Sequence, residues 1–411
     1  MSISETRLLA RRKKIGVAPE AVPGVAATIG ADTTAWVPCY ELTFTPEVGF
    51  IERDILSTSL ATETTDSVGT QFARITFKCD VTGSTVTQVA SDVTADDMLP
   101  VRTGTPSWIV AMMGCGFFPY YADWEDLGGA SGTFGTATCW NVLLPSNSPP
   151  QPNDSSSTLG QGKDKQVTLT LSFWEDGRQY TVSGAMGNVT FSGTAGDLLY
   201  ANFEFLGVLS AIAVSAAEPS GSFNDATPTP LSRTDKTSWT LPDTVAAVGS
   251  TNLPPISTWE LNCGNAYDLY KDVNVDKAAS YACIYETKPS LTVTSLAYAD
   301  GANAEKLLIT REIESTTGVF QTVAGITGES GTNLAQQFLF GLPKAQANSV
   351  ETGEETGYLT ETATCKLIDS TTLTDTSGIL TTPKTRTMFL AYGAEVESAF
   401  LSSGSIDDPT A

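Results

Sequence analysis

Hydrophobic and polar residues alternate along several stretches of the chain, and a period of two predicts β-strands with one buried face. In residues 73–81, Ile75, Phe77 and Cys79 alternate with polar residues. The same type of pattern recurs through residues 36–82, which we expect to be strands.

The clearest strand signal covers residues 166–206. Apolar residues alternate with Thr, Ser and Gln from Val167 to Phe173, and Glu175-Asp-Gly-Arg178 follows. Asp-Gly between alternating segments is typical of a two-residue hairpin turn. A second turn at Ala195-Gly196 precedes the closing strand Leu198–Phe205. The pattern predicts an antiparallel meander with one buried face.

Two short helices are predicted between strands. Residues 107–113 are apolar, with Pro106 before them and Gly114 after them, which are helix start and stop signals. A second helix is predicted at residues 304–313, with Asn303 as N-cap.

Strands are predicted again in the second half of the chain, at Ser257–Asn262, Ser290–Thr294, Gly357–Ile368 and Thr385–Tyr392. Both halves therefore run in the same order of strands, helix and strands, which indicates a duplication. One irregular β domain without a repeat is the alternative.

These signals divide the chain into five predicted segments. Prolines and glycines in Gly16–Gly24 argue against a helix or a central strand there. The segments are a basic, extended arm (1–35), a first β unit (36–214) with a long loop (119–165), a linker (215–256), a second β unit (257–370) and a C-terminal extension (371–411).

Composition supports a mainly β protein. Charged residues make up 17% of the 411 residues, below the roughly 25% of an average globular chain. The net charge is −23, although a basic run opens the chain. A protein with this much negative charge is expected to repel nucleic acid. The basic run contains Arg7, Arg11, Arg12, Lys13 and Lys14.

The residues that many active sites need are missing or scattered. The chain has no histidine, which excludes Ser-His-Asp catalysis and histidine-based metal sites. Its seven cysteines include no Cys-x-x-Cys pair, so we expect buried free thiols in a reducing compartment. We expect no catalytic residue, cofactor, metal site or membrane span.

Five motifs in order resemble the major tail tube protein of long-tailed (siphovirus-type) bacteriophages, in its two-half form. The first is a Glu-Arg-Asp step after the first strand, and the second is a Pro-x-Trp…Cys-Gly-Phe helix. An Asp-Gly…Gly-Ala-x-Gly hairpin, a closing strand and a Leu-x-x-Gly-Asn segment follow. They lie at Thr45–Asp54, Pro106–Phe117, Phe173–Gly187, Ala195–Gly207 and Leu261–Asn265.

The resemblance covers roughly residues 36–368, and it implies a fold and a function. The fold would be tandem β-sandwich or barrel units, each with one short helix. Copies would join their sheets into rings that stack as a tube for DNA, with three chains per pseudo-sixfold ring. Partners would be the tail terminator, tape measure and tail-tip proteins. The location would be the virion, after assembly in the host cytoplasm.

Candidate sites follow from charge. An acidic lumen would not retain DNA, and candidate lumen residues on the solvent face of the sheet are Glu175, Asp176, Glu354, Glu355 and Glu361. The basic run from Arg7 to Lys14 would bridge to an acidic neighbouring subunit.

Two other functions fit the composition. A β-rich virion decoration protein, or one that binds a receptor or glycan, would use the Ser/Thr/Gly-rich loops. A histidine-free glycosidase would use two of the 46 acidic residues.

Overall fold

The computed structural model of the chain describes residues 13–29, 35–51, 67–82, 106–122, 140–145, 150, 166–214, 216–217, 237–240, 256–275, 277–296, 324–329, 337–342, 345–367 and 388–392. These residues are mainly β, as predicted, and they include one short helix.

The strands of the first half and the helix are β1 (Lys13–Pro19), β2 (Ala35–Val37), β3 (Cys39–Ile51), β4 (Ser67–Asp80), α1 (Ser107–Met113), β5 (Phe117–Ala122), β6 (Trp140–Pro145), β7 (Leu169–Glu175), β8 (Arg178–Thr194) and β9 (Tyr200–Val214). The later strands are β10 (Thr237–Thr240), β11 (Ile256–Asn262), β12 (Asn265–Lys271), β13 (Ala279–Thr287), β14 (Ser290–Leu296), β15 (Ala324–Glu329), β16 (Gln337–Leu342), β17 (Ala345–Glu355), β18 (Tyr358–Leu367) and β19 (Phe389–Tyr392).

The largest sheet has eleven strands and is organised around β8. One path runs β17-β18-β14-β11-β8-β7-β1-β2, while β9, β4 and β3 continue from the other side of β8. The first part of β8 pairs with β7, and its last part pairs with β11. The register with β9 shifts between Ser183 and Met186, where the two partners change over. Strand β8 thus joins two wings of the sheet.

The sheet curls so that its wings face each other across a core. The ring of Phe44 on β3 lies 5.3 Å from that of Phe173 on β7 and 4.5 Å from that of Tyr180 on β8. Helix α1 lies inside this core, with all its residues buried. Trp108 Nε1 donates to the Thr82 carbonyl (2.9 Å), and its ring meets Phe191 edge-on. The arrangement is a β-sandwich with a buried helix, and it confirms the predicted helix at 107–113.

The local strand predictions are confirmed in the meander. Ile75, Phe77 and Cys79 are buried along β4. Asp176 and Gly177 form the β7–β8 turn with φ of 35° and 96°. Two positive φ values are what a tight hairpin between twisted strands requires.

The strand predictions of the second half are confirmed by β11, β14 and β18, and β19 confirms residues 389–392 of the stretch Thr385–Tyr392. Strand β11 pairs with β8, so both predicted units contribute to one sheet. The tandem duplication stays a prediction, because the helix expected at 304–313 lies outside the described residues.

The exclusion of a central strand from Gly16–Gly24 is wrong for Gly16 and Val17, which pair on both sides, and Ala18 and Pro19 also belong to strand β1. Strand β1 pairs with β7 on one side and with β2 on the other. Pro19 is tolerated because it is the last residue of the strand, where a missing N–H costs no further ladder bond. Part of the predicted arm is therefore built into the sheet.

A buried carboxylate fixes the segment after β1. Glu20 Oε1 accepts hydrogen bonds from Thr170 Oγ1 (2.7 Å) and Gly184 N (2.8 Å). Glu20 Oε2 accepts from Thr168 Oγ1 (2.7 Å) and Gly24 N (2.8 Å). Burial raises the pKa of this carboxyl, and the four hydrogen bonds act in the opposite direction. Glu20 ties the chain to β7 and to the bulge of β8.

A second sheet has six strands in the order β10-β15-β16-β19-β6-β5. Strands β5 and β6 place residues 119–122 and 140–145 in this sheet, so the loop prediction for 119–165 is wrong there. Strand β10 likewise places residues 237–240 of the predicted linker in the sheet.

A two-stranded hairpin, β12–β13, packs on the long sheet. Ala282 and Ile284 of β13 bury Met186 of β8 together with Tyr267. The hairpin covers the middle of β8 on the side away from α1, and Thr194 and Glu260 on the same side are exposed.

Candidate functional surfaces

The open side of the long sheet presents rows of hydroxyl groups. Thr194, Thr258, Thr294 and Thr362 are successive register partners on β8, β11, β14 and β18. Thr294 Oγ1 and Thr362 Oγ1 are 3.0 Å apart and hydrogen-bonded. The next row contains Ser192, Glu260, Thr292 and Thr364. This surface, called here the hydroxyl face, is polar because the strands alternate and their apolar residues fill the core.

An arginine on the hydroxyl face is held between two acids. Arg74 Nε lies 3.1 Å from Glu47 Oε1, and Arg74 Nη1 lies 3.3 Å from Glu204 Oε1. All three side chains are partly exposed, so these ion pairs contribute little stability. Their effect is to neutralise a positive charge on the face.

An aromatic corner of the same face holds a lysine. Lys78 Nζ lies 3.8 Å from the centre of the Tyr200 ring. Tyr40 Oη donates to Asp80 Oδ2 at 2.9 Å, and this bond raises the pKa of Tyr40 to about 12. Burial raises the pKa of Asp80. Lys366, at the other side of the face, is exposed.

The structure places two candidate arm residues within the chain's own sheet. Lys13 Nζ lies 3.3 Å from Glu175 Oε1, and Lys14 Nζ lies 4.7 Å from the Trp36 ring centre. Asp176 lies beside them in the β7–β8 turn and is partly exposed. Arg7, Arg11 and Arg12 lie outside the described residues.

Two candidate lumen acids lie at the tip of the β17–β18 hairpin. Glu354 and Glu355 end β17 and are exposed, and Thr356 and Gly357 form the turn with φ of 49° and 83°. The next two residues, Tyr358 and Leu359, are exposed as well, Tyr358 to 67%. This tip combines charge with uncovered apolar surface.

The prediction that Glu361 lies on the solvent face is wrong, because its exposure is 3%. Residues of odd number on β18 face the core, where Ala363 and Leu367 are also buried. Glu361 follows this alternation and pairs in register with Ser295, which is also buried. A stretch with polar residues at almost every position gave no sign of which ones turn inward.

The structure does not bring the candidate acids together. Glu175 and Asp176 lie where β8 begins, beside Arg178. Thr362 of β18 shares a row with Thr194, the last residue of β8. Strand β18 runs opposite to β8, so the β17–β18 tip, which precedes Thr362 in the chain, lies beyond this end of β8. Strand β8 has 17 residues, which corresponds to about 50 Å of extended chain.

Sequence reasoning missed two exposed apolar surfaces. Beyond the last pair with β9, the β3–β4 hairpin carries Phe50 opposite Val68, exposed to 64% and 58%. The final part of β9 pairs with β8 alone and exposes Ile212 and Val214. The apolar run that ends β9 was the available signal.

No protein-family model and no curated protein matches the chain. Its function is therefore inferred from its surfaces.

The described residues contain no group of three Asp, Glu or Cys side chains that could hold a metal ion. The described cysteines are present as thiols, at Cys39, Cys79, Cys115, Cys263, Cys283 and Cys365. Burial raises the pKa of Cys39 to about 11, which makes it a poor nucleophile. Within the same residues no helix is long and apolar enough to cross a membrane.

Proposed function

We propose that the chain is the major tail tube subunit of a long-tailed bacteriophage. Copies join their sheets into rings, and stacked rings enclose the channel through which DNA passes during infection. The observation that carries the proposal is the hydroxyl face, an open polar surface on a long sheet whose other side holds the core.

The hydroxyl face has the chemistry of a wall that DNA does not bind. Lys and Arg contacts to phosphate dominate the affinity of proteins for DNA. Here Arg74 lies between two carboxylates and Lys78 lies over Tyr200, and the exposed Lys366 shares the face with the exposed Glu260. Neutral hydroxyls provide little attraction, so a polyanion slides past them.

Free strand edges supply a way to build a ring. In the described part of the chain, β3 and β17 each pair on one side only. Free edges pair with other chains unless they are covered, and ring closure removes them. Three chains with two β units each would give a pseudo-sixfold ring in the virion. Tail terminator, tape measure and tail-tip proteins would contact its ends.

Electron microscopy of the purified protein tests this proposal. We expect rings or tubes with a central bore, and a density map with the hydroxyl face turned toward it. A particle without a bore, or a bore lined by lysine and arginine, would contradict the proposal. Monomers or trimers that bind cells would favour a receptor-binding protein, and cleavage of polysaccharide would favour a glycosidase.

A lysine on the hydroxyl face is expected to make the tubes bind DNA. Thr292→Lys would put one extra cation per subunit toward the bore. Each phosphate that a lysine contacts makes the plot of log K for DNA binding against log salt concentration steeper by about 0.9. Short duplex DNA should co-sediment with the variant tubes at low salt and not with wild type. Thr352→Lys, an exposed site on β17 in register with the inward-facing Glu361, is the matched control. Equal DNA binding by both variants would argue against the hydroxyl face as the wall.

A further inference from the structure

One end of the long sheet is acidic and apolar. The acidic tip, defined as Glu354, Glu355, Tyr358 and Leu359, projects beyond the last row shared by β14 and β18. All four residues are exposed. Tyr358 and Leu359 thus present apolar area next to two carboxylates, and a soluble protein gains by covering such area.

The opposite end is apolar and surrounded by bases. The basic end is defined as Lys13, Lys14, Arg178, Ile212 and Val214. Val214 is exposed to 75% and pairs in register with Arg178, which is exposed too. Lys13 and Lys14 begin β1 next to the same turn, and the chain before them contains Arg7, Arg11 and Arg12. Glu175 and Asp176 offset part of this charge.

We infer that the acidic tip of one copy docks on the basic end of a second copy, and that this contact stacks the rings. The inference rests on the proposed tail tube function. Within one copy the two surfaces lie at opposite ends of β8, so they cannot cover each other. A contact between different surfaces of identical copies can repeat from copy to copy, and it builds a filament when its rotation does not close into a ring.

The two surfaces complement each other in charge and in apolar character. Glu354 and Glu355 would face Arg178 and the lysines, which orients the copies head to tail. Tyr358 and Leu359 would cover Ile212 and Val214, which lie where β9, among the described residues, pairs only with β8. One contact, repeated from copy to copy, therefore pairs the charges and covers the apolar side chains of both the acidic tip and the basic end.

A charge-swap experiment tests the contact. Glu354→Arg alone and Arg178→Glu alone should each raise the protein concentration needed for tube formation about tenfold. Rings of both variants mixed in equal amounts should stack again, because each new Arg then meets a new Glu. Asp268→Arg, on β12, is the matched control for a reversed surface acid. Unchanged assembly of either variant, or no recovery on mixing, would overturn the contact.

Cysteine cross-linking gives a measurement that does not depend on charge. Tubes of the double variant Leu359→Cys/Val214→Cys should form a covalent ladder under oxidation, and each single variant should form dimers at most. A link between these positions must join two copies, because one copy holds them at opposite ends. Sedimented tubes without a ladder would refute the contact.

The failure of this contact differs from the failure of the tube function. If wild-type protein forms tubes that the swaps and cross-links do not affect, only the docking contact is wrong. If wild-type protein forms neither rings nor tubes, the tube function and the contact fail together.

Discussion

Replacement of Glu20 by alanine is expected to lower the free energy of unfolding by about 4 kcal/mol. The carboxylate accepts hydrogen bonds from two hydroxyls and two backbone N–H groups. Alanine removes this acceptor, so the donors lose their hydrogen-bond partner inside the protein. Thr168, Thr170 and Gly184 lie at the junction of β1, β7 and β8, so the loss would spread through the sheet. Urea unfolding, followed by circular dichroism, measures the change.

Two further variants separate the hydrogen bonds from the loss of volume. Glu20→Gln keeps the shape of the side chain but points an amide NH₂ at two of the donors. Its free energy of unfolding should therefore lie between those of the wild type and of Glu20→Ala. Glu355→Gln, on the exposed acidic tip, should change stability by less than about 0.5 kcal/mol. A Glu20→Ala protein that loses less than about 1 kcal/mol would show that the network contributes little.

Lysine at Phe50 and Val68 together is expected to abolish tube formation and to leave the monomer folded. These residues form an exposed cross-strand pair at the end of the β3–β4 hairpin, beyond the reach of β9. If assembly buries them, each lysine forfeits the ~1.5–3 kcal/mol that a buried large apolar side chain contributes. The loss recurs at every subunit of a ring.

Sedimentation and electron microscopy measure assembly, and thermal unfolding reports the fold. Tyr285→Lys is the matched control, because Tyr285 is 68% exposed on β13 and lies away from the β12–β13 turn, where Lys277 contacts Gln71 of the β3–β4 hairpin. Its tubes should equal wild type. Tubes of normal yield from the double variant would show that the β3–β4 hairpin takes no part in assembly.

Features with local causes could be read from the sequence. The alternation around Ile75 and Phe77 predicted which face of β4 is buried, because side chains of a strand point alternately to opposite sides. Asp176-Gly177 predicted a hairpin because the turn needs positive φ at both positions. Neither feature requires knowledge of a distant strand.

Features that depend on distant partners could not be read. Strand β1 lies between β2 and β7, and β7 starts about 150 residues further along the chain. The residues Gly16–Pro19 contain no pattern that predicts this pairing. The pairing of β8 with β11 joins residues that are 64 to 72 positions apart, from 258 − 194 = 64 to 262 − 190 = 72. Glycine and proline gave a misleading local signal, because Gly16 makes room for the Trp36 ring within the strand and Pro19 is the last residue of the strand.

The candidate site was only partly predictable for the same reason. Exposure of Glu354 and Glu355 follows from a turn that the sequence encodes at Thr356-Gly357. The inward direction of Glu361 depends on the register with β14. The exposed pair Phe50 and Val68 depends on where β9 leaves β4, which is a property of the sheet and not of the hairpin.

Strand β8 runs from one proposed docking end toward the other and pairs with β9 along most of its length. Tension along a stack of copies would pull along this strand. Its hydrogen bonds lie across the direction of pull, so many must break together instead of one after another. An axial load would therefore be shared by the whole ladder, and the particle would be stiff against stretching.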